Sequence, residues 1–509
     1  MSRILLMLIF ILWMLWRPEA SPSTTHLELR VGLFFGFYVL LVLVLGTWSR
    51  FLARRVVSDN LHRSVGRFNR MVGFARWLVP VWFGFGIYLL GWGDVMQMLF
   101  PPTQEGEPIA WMGMHSPTVL LGILPGILTW MGLWWAQFPA DRALREQNLL
   151  NQLEADLPLI APPRFWDYFR ANFRMQVLFI CLPLLLIVAM RDLLSRVWLW
   201  SGYPTGDTTE AIISVSSSAI VFILAPSILR RVLNTIPLPE SSLRRRLVAM
   251  ARRSGMKYRE ILLWRTNNNV CNAAVMGLFA PVRYVLLSDA LLETMTDEQI
   301  EAVFAHEMGH VVHRHMVWYV IFFILCMCGM GVLENTLPLN FRYGQETFAF
   351  AGVLGLFWAF GFLSRQCERQ ADVYAARLME LTHRRDNVGH DLIFSPADLV
   401  TPLSPAVAGA QVGIATLPYE NANPSVGRHG AAMFSSALHR VAVVNNIPIA
   451  RHEWLHGSIL KRMNFLRDLA AHPKRSDYFD KQMQRMYGLL LLGLVVSLVW
   501  MTIAQFSGR

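Results

Sequence analysis

Long apolar stretches alternate with polar segments along this chain, and several of these stretches are almost free of charged residues. A hydrocarbon core about 30 Å thick needs about 20 helical residues to cross it. Eight stretches of suitable length and composition are predicted to be membrane spans: 31–48, 77–100, 118–138, 176–200, 211–229, 316–333, 347–363 and 487–505. A shorter apolar run, 4–16, is interpreted as a first span, although a signal anchor or a cleaved signal peptide is also open. The pattern predicts a polytopic α-helical membrane protein.

The basic residues are concentrated in alternate loops between these spans. Lys and Arg number seven in 49–76, five in 139–175 and twelve in 230–315, but none in 101–117 or 201–210 and one in 334–346. Basic loops remain on the cytoplasmic side of a membrane. We therefore predict that the two large polar segments, 230–315 and 364–486, both lie on the cytoplasmic face.

The composition agrees with a membrane protein and argues against a soluble, a nucleic-acid-binding or a disulfide-stabilised protein. Of the 509 residues, 54% are hydrophobic and only 16% are charged, whereas soluble domains carry about 25% charged residues. A net charge of +11 could indicate nucleic-acid binding, but the arrangement of the cations in alternate loops indicates the lipid bilayer as the partner, with no nucleic acid. Five scattered cysteines imply no disulfide framework.

The segment 230–315 has the pattern of a small α+β domain. Residues 241–254 are typical of a basic helix, and three short β-type runs separated by turn residues follow it. A capping signature at Thr296 then predicts the start of another helix. The three runs are Glu260–Trp264, Val270–Met276 and Tyr284–Ser288.

That last helix carries the motif His306-Glu307-Met308-Gly309-His310. Residues four apart share one face of a helix, so both imidazoles can bind one cation, with Glu307 beside them. The motif H-E-x-x-H therefore predicts a zinc site. His313, one turn further on, could compete as a ligand, although a polar residue near the membrane is the simpler interpretation. The metzincin extension is absent, because Met316 occupies the position of its third histidine.

A third protein ligand is expected from elsewhere, since zinc hydrolases use three and leave one position open. The run Ser364–Asp372 follows immediately after two spans that return the chain to the same face. Helical spacing places Glu368 and Asp372 on one face, so Glu368 could ligate the metal while Asp372 accepts a hydrogen bond from a ligating imidazole. The spacing E-x-x-x-D is weak evidence alone; its position in the chain strengthens it.

With these motifs the sequence resembles the integral-membrane gluzincin peptidases, the family of HtpX-like proteases and type I CAAX prenyl proteases. The resemblance extends over about 240–380 and a patch near 450–470, and its elements are the Asn272-Ala273 pair, the passage Val285–Leu292, H-E-M-G-H and the run Ser364–Asp372. It implies a cytoplasmic gluzincin-type domain with a small sheet. It also implies that His306, His310 and Glu368 bind one Zn²⁺ per chain, that Glu307 is the catalytic base and that Asp372 supports a ligand.

The same resemblance assigns roles to residues near the peptide substrate. Asn272 and Ala273 would lie along an extended peptide added to the Val270–Met276 edge strand. Family members carry a histidine followed six residues later by an arginine, which matches His456 and Arg462. His456 would then donate to the oxyanion and Arg462 would belong to the substrate-binding set. The proline that usually follows this histidine in the family is replaced by Gly457 in this chain.

These observations predict three regions. They are a transmembrane region over 1–235, a metallopeptidase domain over 236–486 that contains two spans and a long proline-containing loop at 383–428, and a final span with its tail over 487–509.

The predicted function is a membrane-embedded zinc metalloendopeptidase in which Glu307 activates a zinc-bound water. Its substrates would be membrane-associated or misfolded proteins, and its expected location is a bacterial inner membrane with the active site in the cytoplasm. Processing of lipidated CAAX-type peptides is an alternative. A non-catalytic scaffold or transport protein with a vestigial zinc site is a second alternative, from a different class.

Overall fold

The computed structural model describes residues 2–18, 21–55, 61–102, 110–154, 161–203, 206–268, 270–337, 344–393, 425–445 and 447–507. Within these ranges the chain forms two compact units, which divide between Thr235 and Ile236. The first unit is helical. Its helices are α1 Ser2–Leu15, α2 Leu27–Arg55, α3 Leu61–Tyr88, α4 Trp92–Leu99, α5 Ser116–Glu154, α6 Phe165–Asn172, α7 Phe179–Trp200 (continuous with a π-helical turn, Phe173–Leu178) and α8 Asp207–Val232.

The second unit combines a four-stranded sheet with helices. Its strands are β1 Thr235–Pro237, which begins at the junction, β2 Glu260–Trp264, β3 Ala273–Met276 and β4 Tyr284–Ser288. Its α-helices are α9 Ser242–Arg253, α10 Asp289–Thr294, α11 Asp297–Val312, α12 His315–Thr336, α13 Gly344–Ile393, α14 Arg428–Val444, α15 Ile459–Ala471 and α16 Pro473–Ser507.

Eight helices within the described ranges are long and apolar enough to cross a membrane. They are Leu27–Arg55, Gly66–Tyr88, Ser116–Gln147, Phe165–Trp200, Thr208–Val232, His315–Glu334, Phe350–Arg384 and Pro473–Trp500. Each overlaps one of the predicted spans. The polytopic α-helical class with a small sheet is confirmed.

Two predicted boundaries are wrong. The span expected at 77–100 ends at Tyr88, and α4 is a separate helix, because Gly91 takes a left-handed backbone conformation with φ of +80° between the two. The loop expected at 383–428 begins later than predicted, since α13 continues to Ile393 before the first proline of that segment, Pro396. The remainder of that loop from 394 to 424 lies outside the described residues.

The apolar run 4–16 forms helix α1, which is embedded in the core of the first unit. Leu6, Ile9 and Trp13 are almost completely buried. Ile9 and Trp13 lie against Gly126 and Gly122 of α5, where the missing side chains let the two helices approach closely. The run is therefore a packed helix of the first unit.

The sheet of the second unit has the order β1-β2-β4-β3. β4 lies between β2, to which it is parallel, and β3, to which it is antiparallel. All five residues of β4 are buried, as expected for a central strand. β3 is an edge strand, as predicted, although the extended pairing covers Ala273–Met276 rather than the full run from Val270.

Candidate metal and peptidase site

Helix α11 presents the H-E-M-G-H motif, and a capping box fixes where this helix begins. The Thr296 hydroxyl accepts a hydrogen bond from the Gln299 N–H, and the Gln299 side chain accepts one from the Thr296 N–H. The helix ends at Val312, and Arg314 takes a left-handed conformation with φ of +54° that turns the chain into α12. The motif thus lies in the last turns of α11, next to an apolar helix.

Helix α13 supplies the second half of the site because it packs unusually close to α11. A Cβ added at Gly309 would lie 2.9 Å from the Ala371 Cα, well inside normal contact. Glu368 and Asp372 flank Ala371 on α13 and are both buried. The glycine inside the motif therefore brings two carboxylates against the two histidines.

His306, His310 and Glu368 are brought together as the sequence predicted. Their ligand atoms all lie within 4.8 Å of one another, and no other such group occurs among the described residues. The two Nε2 atoms are 3.3 Å apart, and each is 3.6 Å from a Glu368 oxygen. His313 lies outside the cluster, with its ring against Tyr374 and His315.

This donor set fits a zinc ion. Zn–N bonds of about 2.0–2.1 Å in a tetrahedral site place two nitrogens about 3.3 Å apart, which is the separation of the two Nε2 atoms. Glu368 Oε2 is buried and accepts no hydrogen bond from the described residues, although Arg462 Nη1 lies 3.4 Å away, so this oxygen remains available to a metal ion. Burial lowers the pKa of His310 to about 4, which keeps this imidazole in the unprotonated form that a ligand requires.

Asp372 supports His306, and Arg462 holds Asp372. The Asp372 Oδ1 lies 3.0 Å from His306 Nδ1, on the side of the ring away from the cluster. Arg462 donates two hydrogen bonds to the same carboxylate, at 2.8 and 2.5 Å, and its Nη1 is 3.4 Å from Glu368. The sequence grouped Arg462 with substrate-binding residues, but its guanidinium contacts the supporting and ligating carboxylates.

Glu307 lies between the cluster and the edge strand. Its Oε2 accepts a hydrogen bond of 3.0 Å from the backbone N–H of Val275 in β3. Burial raises the pKa of Glu307, against the lowering effects of His306 and of this hydrogen bond. A carboxylate with a raised pKa beside a metal-ligand cluster is suited to accepting and returning a proton.

The register of β3 determines which of its backbone groups face away from the sheet. The Asn272 C=O accepts a hydrogen bond from the Ser288 N–H, and its own N–H donates to the Ser288 hydroxyl. Ala274 and Met276 are the next residues of β3 that face β4 in the same way. Ala273 and Val275 therefore direct their N–H and C=O groups to the open edge. Asn272 and Ala273 lie at the start of this edge, next to the strand position that contacts Glu307.

His456 approaches the cluster from a loop before α15. Trp454 packs against Phe360 of α13, and its carbonyl accepts a hydrogen bond of 2.8 Å from Arg365. This anchoring places His456 Nδ1 3.0 Å from Glu368 Oε1, and the Glu368 carboxylate raises the pKa of His456. Gly457 has φ of +76°, which proline cannot adopt, so the substitution of the usual proline accompanies a different turn.

Four residues near the ligands were missed by sequence reasoning. Phe434 of α14 stacks on the His306 ring at 5.4 Å with a 15° interplanar angle. His315 lies 2.8 Å from His310 Nδ1, and Gln370 and Tyr487 continue the contacts from it. Of these four, only His315 left a signal in the sequence, as a further histidine five residues after His310.

The fold and this site together define a multi-pass membrane protein in which two histidines and a glutamate, next to a second glutamate from the H-E-M-G-H motif, could hold a metal ion. Residues 237–468 match the model of Peptidase family M48. This match supports the resemblance of the sequence to the HtpX-like and type I CAAX prenyl proteases over the second unit.

Individual relatives match over shorter stretches. A protease HtpX homolog of Janthinobacterium sp. (strain Marseille) is 37% identical over 68 residues, 13% of this chain and 22% of the relative. A protease HtpX homolog of Aeropyrum pernix is 26% identical over 147 residues, 28% of this chain and 42% of the relative. The chain thus spans less than half the length of both. The crystal structure of S. mikatae Ste24p aligns with a TM-score of 0.41 and 15% identity, over 85% of this chain and 98% of that one.

Proposed function

We propose that this protein is a membrane-embedded zinc metalloendopeptidase that cleaves peptide bonds of membrane-associated or misfolded proteins. The observation that carries the proposal is the position of Glu307, which lies beside the His306, His310 and Glu368 cluster and also on the open edge of β3. Glu307 is therefore next to both the candidate metal ligands and the strand edge to which an extended peptide could add.

His306, His310 and Glu368 would hold one Zn²⁺ per chain, leaving a fourth position open. When bound, Zn²⁺ supplies Lewis-acid chemistry, which polarises a carbonyl group and lowers the pKa of water. Asp372 and Arg462 orient His306, and we assign Arg462 this supporting role because its guanidinium donates a hydrogen bond to each oxygen of the Asp372 carboxylate.

Glu307 performs the proton transfers. It accepts a proton from the attacking water and then delivers it to the nitrogen of the leaving amine, the usual double task of a single base in amide hydrolysis. The raised pKa of Glu307 suits both steps, since a stronger base takes the proton more readily and still releases it to an amine.

The edge strand β3 would bind the substrate. An extended peptide adds to an exposed edge through main-chain hydrogen bonds, and the outward groups of Ala273 and Val275 are the ones available. The Val275 N–H is engaged by Glu307 in this structure, so peptide binding and release of the Glu307 carboxylate are expected to accompany each other. Asn272 extends the polar edge next to Ala273.

His456 would stabilise the oxyanion. Its Nδ1 is held by Glu368, which leaves Nε2 as the nitrogen that can donate to a substrate oxygen. The half-exposed position of this side chain supports a role at the open side of the cluster. The concentration of basic residues in alternate loops supports a cytoplasmic location of this site, and we propose a bacterial inner membrane.

Two variants of the purified full-length protein test the proposal. Glu307→Gln should retain zinc and lose turnover of a denatured model substrate, because the base is removed and the ligands remain. Glu368→Ala should lose most of the zinc. Full turnover in Glu307→Gln would show that Glu307 is not the catalytic base. Undiminished zinc content in Glu368→Ala would show that another residue is the third zinc ligand. A wild-type protein with zinc but no cleavage of any substrate would favour a scaffold.

A further inference from the structure

A buried histidine outside the ligand cluster lies directly against one of the ligands. His315 is the first residue of α12 and its exposed fraction is 0%. Its Nδ1 lies 2.8 Å from His310 Nδ1, and its Nε2 lies 2.9 Å from Gln370 Oε1. Both nitrogens of this ring therefore have one partner each, which is the full capacity of a neutral imidazole.

The proton positions along these contacts follow from the ligand. His310 directs Nε2 to the cluster, so a ligating, neutral His310 carries its proton on Nδ1 and donates it to His315 Nδ1. His315 then carries its own proton on Nε2 and donates to Gln370 Oε1. The Tyr487 hydroxyl donates to the same oxygen at 2.7 Å. In this arrangement each N–H or O–H group has one acceptor. No other placement of the protons leaves His310 Nε2 unprotonated and able to bind the metal.

From this arrangement we infer that His315 is the positioning residue of the zinc ligand His310, and that Gln370 and Tyr487 fix the tautomer of His315. The inference rests on the proposed zinc site. Metal-ligating histidines ordinarily donate their second N–H to a carboxylate, a carbonyl or a water. Here the acceptor is instead the neutral imidazole of His315, which is hydrogen-bonded in turn to the Gln370 amide, and this amide also accepts from the Tyr487 hydroxyl.

The two ligating histidines are thus supported in different ways. His306 faces the Asp372 carboxylate, whose charge is balanced by Arg462. A second carboxylate behind His310 would need another buried cation, since an unpaired buried charge is strongly unfavourable. His315 supplies an acceptor without adding a charge.

The supporting chain also connects the ligand to three apolar helices. His315 belongs to α12, Gln370 to α13 and Tyr487 to α16. The Tyr487 ring stacks on Trp318 of α12 at 4.1 Å with an 11° interplanar angle, which fixes where its hydroxyl lies. The orientation of His310 therefore depends on how these helices pack.

The experiment measures zinc affinity of the full-length protein in detergent by competition with a chelator. His315→Phe keeps the ring volume and removes both nitrogens, and we expect affinity to fall about 10- to 100-fold, the usual effect of losing such a partner. His315→Gln should recover part of the loss, because its amide can accept from His310 and donate to Gln370. Tyr487→Phe should weaken binding in the same direction while keeping the stack on Trp318. His452→Gln, at an exposed histidine, is the matched control and should bind zinc normally.

A second readout is the visible absorption of the Co²⁺-substituted protein, which reports ligand geometry and should change in His315→Phe and Tyr487→Phe but not in the control. A merely structural role would lower the melting temperature and leave affinity and spectrum unchanged, and that result would overturn the inference. If His315→Phe does not fold, unchanged affinity and spectrum in Tyr487→Phe overturn it equally. A wild-type protein without zinc affinity would instead reject the proposed function itself.

Discussion

Gly309→Ala is the most direct test of how the site is assembled. Gly309 lies inside the H-E-M-G-H motif, at the crossing of α11 and α13. A Cβ at this position would lie 2.9 Å from the Ala371 Cα, 3.2 Å from its Cβ and 3.3 Å from its carbonyl oxygen. The nearest obstacle is a backbone atom, so no rotation of a side chain can relieve the contact.

The magnitude follows from contact distances. Carbon atoms pack at about 3.5–4.0 Å, so the two helices must separate locally by about 0.6–1.1 Å. Metal–ligand distances tolerate only about ±0.2 Å, and Glu368 and Asp372 move with Ala371. We expect zinc affinity to fall at least about 10-fold, as when a ligand loses its support. Overpacking costs about 1–3 kcal/mol and the gain in helix propensity returns about 1 kcal/mol, so the free energy of unfolding should fall by only about 0–2 kcal/mol.

The assay is chelator competition on the purified full-length protein, with thermal unfolding of the same sample without metal. Gly355→Ala is the matched control, because this residue is also on α13 and nothing lies within 4 Å of an added Cβ. The control should bind zinc like the wild type. If Gly309→Ala also bound zinc like the wild type, the close approach of the two helices would not be what assembles the cluster.

Three further predictions concern the surroundings of the cluster. Arg462→Met should lower the free energy of unfolding of the metal-free protein by about 3–5 kcal/mol, because Asp372 is fully buried and would lose its paired cation; an unchanged thermal unfolding curve would mean that Asp372 is held in another way. His456→Ala should reduce turnover by about 10²–10³-fold with a much smaller change in KM and with zinc content unchanged, and loss of zinc would make this histidine a support of Glu368 instead. Ser425→Cys, at an exposed position before α14, should react with an impermeant thiol reagent only after cells are permeabilised, and labelling of intact cells would reverse the orientation.

Much of the fold could be predicted because short segments of the sequence determine where the helices lie. Uncharged runs of about 20 residues identify spanning helices from length alone, and Thr296 with Gln299 marks the start of α11 from the chemistry of its own first turn. The failures were local as well. The break at Gly91 and the continuation of α13 to Ile393 depend on how far a helix runs, which composition constrains weakly.

The ligands of the candidate site were also visible in the sequence, because helical spacing places His306 with His310 and Glu368 with Asp372. The surroundings of those ligands could not be read in the same way. Phe434 reaches His306, and Arg462 reaches Asp372, across long stretches of chain. Such contacts exist only once Gly309 and Ala371 allow α11 and α13 to meet, because a side chain's partner depends on the distance between elements, while sequence patterns report only the periodicity within each one.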